Sequence, residues 1–315
     1  MNKRSHNGGG EKFPCSGKAI LARVFIAAVL TVTLADLTSA QTVRERGIGP
    51  YTLSTKRGEI NVRLLRRDGD IIWVDRLVQS GSYVETGIPR AEIIEFKTAK
   101  PALFAMAEQA QTPEQISAAV DQLRRFVAQM RLYRDLPGIP VNTALILQAH
   151  LNEKREYWRD ALVIYQELMS QPYDYPDKNM VRYWSGLNLW RMDQKEKALE
   201  YLMDDPIPDE DQNIMSDILY ARADCLSKVG RNREAADTYL SMIVFYPYVR
   251  NNELRAFAGI VPVFIALQEW DAAIKEVEAM KLDYPDAPET AAAIASLEKF
   301  TSQVENEKKF KAVEE

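Results

Sequence analysis

The chain has 315 residues, of which 46% are apolar and 27% are charged, so it can bury a sizeable hydrophobic core. A mean hydropathy of -0.30 excludes an integral membrane protein. A formal net charge of -5 argues against a general nucleic-acid binder, which needs surplus basic side chains to displace counterions from phosphate. Two cysteines cannot form a disulfide framework, and Cys225 is expected to be a small buried side chain.

Residues 1–40 are predicted to be an export signal rather than part of the fold. A positively charged head precedes an apolar run from Val24 to Ala35, and Thr38-Ser39-Ala40 supplies the small residues that a signal peptidase reads. The run is too short to span a bilayer, which needs about 20 apolar residues. We therefore expect cleavage after Ala40, export to the periplasm or the extracellular space, a mature chain without a transmembrane segment, and a linker over residues 41–50.

An alternating apolar pattern over residues 51–98 predicts a small antiparallel β-barrel. Ile60, Val62 and Leu64 alternate with polar residues, and Asp68-Gly69 is a turn pair typical of a tight hairpin. Further strands are predicted over residues 71–74, 82–88 and 91–96. The plan resembles SH3-like and Sm-like barrels, and the Sm-like resemblance implies RNA binding. Export and the scarcity of stacking aromatic residues argue against nucleic acid. The basic side chains are expected to form a solvated face or to dock on the acidic array that follows.

Capping helices are predicted on both sides of the central segment. Residues 99–140 are expected to hold one such helix and a connection, because Thr112-Pro113-Glu114 is a typical helix start. Its apolar stripe at helical spacing comprises Ile116, Val120, Leu123, Phe126, Val127 and Met130. The second capping helix is predicted over residues 289–300, followed by a charged tail over residues 301–315 that should fray.

Between residues 141 and 288 one helical hairpin is repeated four times. Four alanines, 37, 37 and 38 residues apart, set the register: Ala161, Ala198, Ala235 and Ala273. An apolar residue follows each by four positions: Tyr165, Leu202, Tyr239 and Val277. Twelve positions before the alanines stand Ala149, Gly186, Ala223 and, in the fourth copy, Val261. Short side chains recur where helices approach closely, and a hairpin of this period cannot bury its apolar face alone. We therefore predict four hairpins stacked in series.

This spacing resembles the tetratricopeptide repeat, in which small residues occupy the same two positions of the hairpin. The other matching residues are the aromatic Trp158 and Trp270, the turn glycine Gly230, and the closing prolines Pro247 and Pro285. Val261 and Pro262 depart from the pattern, and Pro262 should bend its helix. The resemblance implies a mainly α protein, a tetratricopeptide-like superhelix of helical hairpins, preceded here by the small β-barrel.

The sequence offers no catalytic or metal-binding constellation, so we predict that the protein is not an enzyme and has no cofactor. Once the signal is removed, His150 is the only histidine, which is too few for a triad or a zinc site. Acidic clusters at Asp204-Asp205 and at residues 209–211 are expected to be solvated connections. They lack the alternating ligand pattern of a calcium loop, although calcium binding there stays open.

Binding is the better candidate activity. In a superhelix of hairpins, the first helix of each pair lines the concave face. Its outward stripe is predicted to carry His150, Lys154, Tyr183, Leu187, Trp190, Arg191, Tyr220, Asp224 and Lys228. Tyr, Trp and Arg are the residue types that contribute most to binding in protein interfaces. The alternative for Tyr183 and Trp190 is that they pack between repeats and do not contact a ligand. Tetratricopeptide domains that clamp a peptide carboxyl terminus place Asn and Lys at such positions, where this chain has Leu187, Asp224 and Pro262, so that mode is not expected.

These patterns together predict an exported, non-catalytic scaffold that binds a protein or peptide partner through its concave face, with homo-oligomers left open. The segment from Tyr284 to Glu289 resembles repeat proteins of bacterial cell-envelope assembly and division. The alternative is a glycan- or peptidoglycan-binding module, or a degenerate hydrolase, that uses the barrel or the acidic connections.

Overall fold

The computed structural model describes residues 47–78, 81–97, 100–203 and 211–314. These residues form two compact units, one built from the chain up to residue 97 together with Leu136–Gly138, the other from the remainder. The predicted export signal and the acidic residues 204–210 lie outside the described residues.

The first unit is an antiparallel sheet of five strands in the order β4-β3-β2-β1-β5. The strands are β1 (Ile48–Thr55), β2 (Gly58–Asp68), β3 (Ile71–Leu77), β4 (Tyr83–Pro89) and β5 (Ile93–Lys97). The predicted hairpin at Asp68-Gly69 is confirmed, since Asp68 pairs with Ile71 and Gly69 adopts the positive φ of +58° that this turn requires. Successive side chains of each strand point to opposite faces of the sheet. On one face, Leu53, Leu64, Ile72 and Val74 are completely buried.

The prediction of a closed barrel is wrong, because the sheet is open. Closure requires the two edge strands to pair with each other. The edge strands here are β4 and β5, and only the short 3-10 turn Arg90–Glu92 joins them. Within the described residues, β4 pairs with β3 and β5 pairs with β1, without a ladder between the two edges.

The second unit is helical throughout, and each helix packs against its neighbours in the chain. The helices are α1 (Ala102–Gln109), α2 (Pro113–Met130), α3 (Val141–Lys154), α4 (Trp158–Met169), α5 (Lys178–Arg191), α6 (Lys195–Leu202), α7 (Gln212–Lys228), α8 (Asn232–Phe245), α9 (Asn252–Ala266), α10 (Trp270–Asp283) and α11 (Pro288–Glu314). The pairs α3–α4, α5–α6, α7–α8 and α9–α10 are the four predicted hairpins. The mainly α fold with a serial array of hairpins is thus confirmed.

Both ends of the array carry more helix than the sequence pattern indicated. Thr112 caps α2 as expected, accepting a hydrogen bond from the Gln115 amide at 3.3 Å. The unpredicted α1 packs on α2 and α3, and its Phe104 meets Phe126 edge-on at 5.6 Å. At the other end, α11 continues to Glu314 where a frayed tail was expected from residue 301. Phe300 of α11 stacks on Trp270 at 4.1 Å, which covers the last hairpin.

The small residues that define the repeat lie where helices come closest. Ala161, Ala198, Ala235 and Ala273 all have 0% exposure. At Gly186 in α5, an added methyl group would lie 2.7 Å from Leu202 of α6. The prediction that short side chains allow the paired helices to nest is therefore confirmed.

A further close contact, at Gly259, was not evident from the sequence. The fourth hairpin has Val261 at the position of the usual small residue, and α9 also contains Pro262 in its interior, as predicted. Two residues earlier, a β-carbon on Gly259 would lie 2.4 Å from the Tyr239 ring of the preceding hairpin. The short side chain in this copy thus accommodates the neighbouring hairpin rather than its own second helix.

All four hairpins use the same turn, which confirms the repeat at the level of the backbone. The second residue after the end of each first helix has a positive φ, between 59° and 80°: Glu156, Asp193, Gly230 and Gln268. In every case the next residue donates its amide to the carbonyl five residues earlier at 2.9 Å. This is the Schellman helix ending, in which glycine is favoured at the left-handed position. Only the third hairpin has that glycine.

Glycine substitution at these turns is therefore expected to stabilise the array. Replacing Gln268 with glycine should raise the free energy of unfolding by about 0.5–1 kcal/mol, because the left-handed conformation is strained for a side chain with a β-carbon. Gly230→Ala should lower it by about 1 kcal/mol. Urea denaturation followed by circular dichroism measures both. The matched control is Glu278→Gly at an exposed site inside α10, which should destabilise; stabilisation there, or none at Gln268, would contradict the prediction.

Candidate partner-binding face

The first helices of the hairpins lie on the inside of the array. The first helices α5, α7 and α9 contact one another in succession. Among the described residues, the second helices α4, α6, α8 and α10 make no comparably extensive contacts with one another. Elements that lie closer together occupy the inner side of a curved stack, so side chains on the free stripe of the first helices line its concave face.

Two of the predicted partner-binding residues are buried, and a third is hydrogen-bonded to the end of another helix. Tyr183 and Leu187 of α5 are only 4% and 6% exposed, so they support packing between helices and present little surface. Lys154 at the end of α3 is exposed, and its ammonium group donates to the Ala110 carbonyl oxygen at 3.1 Å.

Trp190 and Asp224, from successive first helices, meet directly. The Trp190 Nε1–H donates to Asp224 Oδ2 at 2.7 Å. Lys195 at the start of α6 donates to the same carboxylate oxygen at 2.8 Å, and its ammonium lies 5.0 Å from the centre of the Trp190 ring. The indole is therefore held in one orientation by a hydrogen bond and by a cation–π contact.

Tyr220 extends this group towards the fourth hairpin. Its ring meets Trp190 edge-on at 5.9 Å, and the Arg255 guanidinium lies 4.4 Å above it. Arg255 also pairs with Asp217 Oδ1 at 2.8 Å. We call the six half-buried residues of this group the inner-face cluster: Trp190, Lys195, Asp217, Tyr220, Asp224 and Arg255. It spans three successive hairpins.

His150 belongs to a separate aromatic group. Its ring meets Trp184 edge-on at 4.6 Å and lies 6.3 Å from Tyr165. Burial lowers the pKa of His150 below its ordinary value, although nearby Glu153 and Asp177 act in the opposite direction. The imidazole is therefore neutral at physiological pH and acts as a packing group.

The lowered pKa of His150 makes stability depend on pH. The unfolded chain binds a proton near pH 6.5, whereas the folded protein resists it, so stability is full above that pH and falls as the pH is lowered towards the folded pKa. We expect the urea midpoint to decrease from pH 7.5 to pH 5.5. The decrease should shrink in His150→Gln, where no proton is taken up. An equal decrease in both proteins would show that other groups are responsible.

Two exposed cations complete the predicted stripe. The Arg191 guanidinium lies 4.6 Å above the Trp158 ring, and Lys228 is exposed at the end of α7. Neither forms an ion pair within the described part of the chain. Together with Lys154, they occupy the same register in three successive hairpins, 37 residues apart.

Three members of the cluster were not predicted from the sequence: Lys195, Asp217 and Arg255. Asp217 and Arg255 hold equivalent positions on their first helices, six residues before Ala223 and Val261, so extending the stripe by one turn would have found them. Lys195 begins a second helix and gave no such signal. It reaches the stripe only because α6 packs beside α7.

Metal ligands, the free thiol and the helix lengths of the described residues bear on what other chemistry the chain can carry. The described residues contain no group of three or more His, Cys, Asp or Glu side chains arranged to hold a metal ion. Cys225 is fully buried, and burial raises the pKa of its thiol to about 12, which disfavours the reactive thiolate. No helix within the described ranges has the length and apolar character needed to cross a membrane.

Comparison with known proteins identifies structural likeness alone. No family model matches the chain, and no curated protein matches its sequence. Among solved structures, it is similar to YrrB, "a TPR protein with an unusual peptide-binding site", with 16% identity over 62% of this chain and 100% of that one and a TM-score of 0.45. TTC0263, a TPR protein of Thermus thermophilus, gives 14% identity, 62% and 97% coverage, and a TM-score of 0.37. The P58(IPK) TPR domain gives 17% identity, 64% and 55% coverage, and a TM-score of 0.29.

Proposed function

We propose that the helical array is a non-catalytic scaffold that binds a protein or peptide partner through the inner-face cluster. The observation that carries this proposal is the cluster itself, in which Trp190, Tyr220 and Arg255 are joined side by side across three hairpins. Trp, Tyr and Arg are the residues most often responsible for binding energy in protein interfaces. Partial exposure leaves them accessible to a partner.

The cluster is also held in place before any partner arrives. The indole of Trp190 is fixed through Asp224 and Lys195, and the Tyr220 ring lies between Trp190 and Arg255. Side chains that are already ordered lose less conformational entropy on association, which leaves more of the contact energy for affinity.

The unpaired cations beside the cluster favour a partner with acidic residues. Arg191 and Lys228 follow each other at one hairpin spacing and have no carboxylate partner among the described residues. A row of like charge steers an oppositely charged partner and raises its association rate, with a strong dependence on salt. Binding is therefore expected to weaken as ionic strength increases.

The setting that we propose is the cell envelope, where the scaffold takes part in assembly or division. This part of the proposal rests on the charged head, apolar run and small residues of positions 1–40 and on the segment from Tyr284 to Glu289. Expression in a bacterial host with amino-terminal sequencing of the exported chain tests it. Cleavage after Ala40 is the expected result, and an uncleaved cytoplasmic chain would contradict it.

Partner binding is tested by capture from an envelope fraction on the immobilised chain. Trp190→Ala and Tyr220→Ala should each weaken retention of the partner at least tenfold, since anchor residues contribute about 2 kcal/mol or more. The matched control is Tyr248→Ala, because Tyr248 is 93% exposed and lies outside the cluster. Far-ultraviolet circular dichroism verifies that each variant is folded.

Two outcomes would contradict the proposal. One is equal retention of the partner by Trp190→Ala, Tyr220→Ala and Tyr248→Ala. The other is retention of the chain on cell-wall polysaccharide without any protein partner, which would favour the glycan-binding alternative.

A further inference from the structure

A cavity of about 310 Å³ lies in the sheet unit. It is lined by Thr55, Arg57, Ile60, Arg76, Thr86 and Pro89, with Gly87, Ile88 and Glu92. These residues come from the β1–β2 hairpin, from β3, and from β4 with the 3-10 turn that follows it. The Lys56 amide donates to the Glu92 carbonyl at 3.0 Å and holds the hairpin against that turn.

Arg76 breaks the apolar pattern of its strand at this cavity. Ile72 and Val74 of β3 are fully buried on the core face, and Arg76 is the next residue on the same face. Its neighbours across the adjacent strands are Val62 and Val84, neither of which can pair with a guanidinium. Arg76 has no ion-pair or hydrogen-bond partner within the described residues. Arg76 lies near the end of β3, where its side chain is exposed, so its unpaired guanidinium is accessible to a ligand in the cavity.

The charges around the cavity leave one cation uncompensated. Arg57 pairs with Glu92 at 2.9 Å, so Arg57 (+1), Arg76 (+1) and Glu92 (-1) sum to +1. The two hydroxyl groups are already used within the protein. Thr55 donates to the Gly58 carbonyl at 2.8 Å, and Thr86 donates to the Val84 carbonyl at 3.3 Å. The remaining walls are apolar at Ile60, Ile88 and Pro89.

We infer that this cavity binds a single carboxylate carried on a small apolar body. The planar guanidinium of Arg76 presents two parallel N–H groups that match a carboxylate, and the apolar walls accommodate an aliphatic side chain. One surplus positive charge suits a monoanion, whereas a phosphate dianion would remain undercompensated. The volume falls in the range of small-ligand sites. A free aliphatic acid and the carboxyl-terminal residue of a peptide share this chemistry.

The inference is tested on the full chain by methyl NMR with labelled isoleucine. The resonances of Ile60 and Ile88 report on the cavity and are assigned with Ile60→Val and Ile88→Val. N-acetyl-leucine should shift them in a dose-dependent manner. N-acetyl-leucinamide has the same body without the charge, and its binding should be at least tenfold weaker.

Charge-matched variants separate recognition by Arg76 from a general charge effect. Arg76→Gln should weaken N-acetyl-leucine binding at least tenfold, and Arg57→Gln should also weaken it by reducing the net charge of the cavity to zero. Arg66→Gln removes the same charge from the opposite face of the sheet, where Arg66 lies 4.4 Å above the Trp73 ring, and should leave binding unchanged. Arg57 and Arg66 are exposed, so both variants are expected to fold.

The remaining arms distinguish the source of the carboxylate. Isobutyrate stands for a free acid, and the tripeptide Ala-Ala-Leu, compared with its amide, stands for a peptide terminus. Tighter binding of either acid supports the inference and identifies the source. Equal shifts by acid and amide, or equal binding to Arg76→Gln and Arg66→Gln, would overturn it.

Discussion

Gly259→Ala is expected to lower the free energy of unfolding by about 2–3 kcal/mol, the typical effect of overpacking a filled core. The added β-carbon would lie 2.4 Å from Cζ and 2.5 Å from Cε1 of Tyr239. Tyr239 is 2% exposed, so its ring is enclosed by neighbouring side chains. Urea denaturation followed by circular dichroism measures the change.

The sign of this effect is diagnostic, because alanine in place of glycine inside a helix normally stabilises by about 1 kcal/mol. The matched test is the double variant Gly259→Ala/Tyr239→Leu, in which the smaller side chain makes room for the methyl group. It should be less destabilised than the sum of the two single variants. Additive effects, or stabilisation by Gly259→Ala alone, would show that the two hairpins are not in close contact here.

Glu167→Ala is expected to destabilise the array by about 3 kcal/mol, because it leaves a buried charge without its partner. The Arg134 side chain is 8% exposed and donates to Glu167 Oε1 and to Asn142 Oδ1, each at 2.6 Å. Loss of the carboxylate removes the only anion paired with this guanidinium in the described residues. The urea midpoint is again the measurement.

Arg131 provides a control on the same carboxylate. It also pairs with Glu167 at 2.6 Å, but its side chain is 59% exposed. Solvated pairs contribute little, so Arg131→Ala should change stability by less than about 0.5–1 kcal/mol. Arg134→Met/Glu167→Leu should recover most of the loss, since the buried cation and its half-buried partner are then both absent. Equal effects of Arg131→Ala and Glu167→Ala would contradict a special role for burial.

Much of the helical array could be predicted because its signals are local. The near-constant spacing of the repeat alanines reflects the close contact between the two helices of each hairpin. Gly186 and Leu202 show this contact in the second hairpin. The cap at Thr112 and the turn at Asp68-Gly69 likewise depend on a few consecutive residues. Packing and turn constraints that act within one hairpin recur in every copy, so they give the amino-acid sequence a recognisable period.

The candidate site could be predicted in part. Counting along the first helices identified Trp190, Tyr220 and Asp224, because the period determines which positions share a helix face. The same count also selected Tyr183 and Leu187, which the structure buries. Whether a residue is exposed depends on the side chains that the adjacent hairpin packs over it. The position of the residue along its own helix does not show which side chains those are.

The repeating hairpin, the apolar face of each helix and the alternation of the strands can be read from the amino-acid sequence alone, since these follow from backbone periodicity and short-range packing. Three other features become visible only in the folded protein: the sheet stays open, Gly259 accommodates the neighbouring hairpin, and Lys195 joins Trp190 and Asp224. Those outcomes depend on contacts between segments distant in the chain. Such contacts are set by the shapes of both surfaces at once, and neither segment specifies them alone.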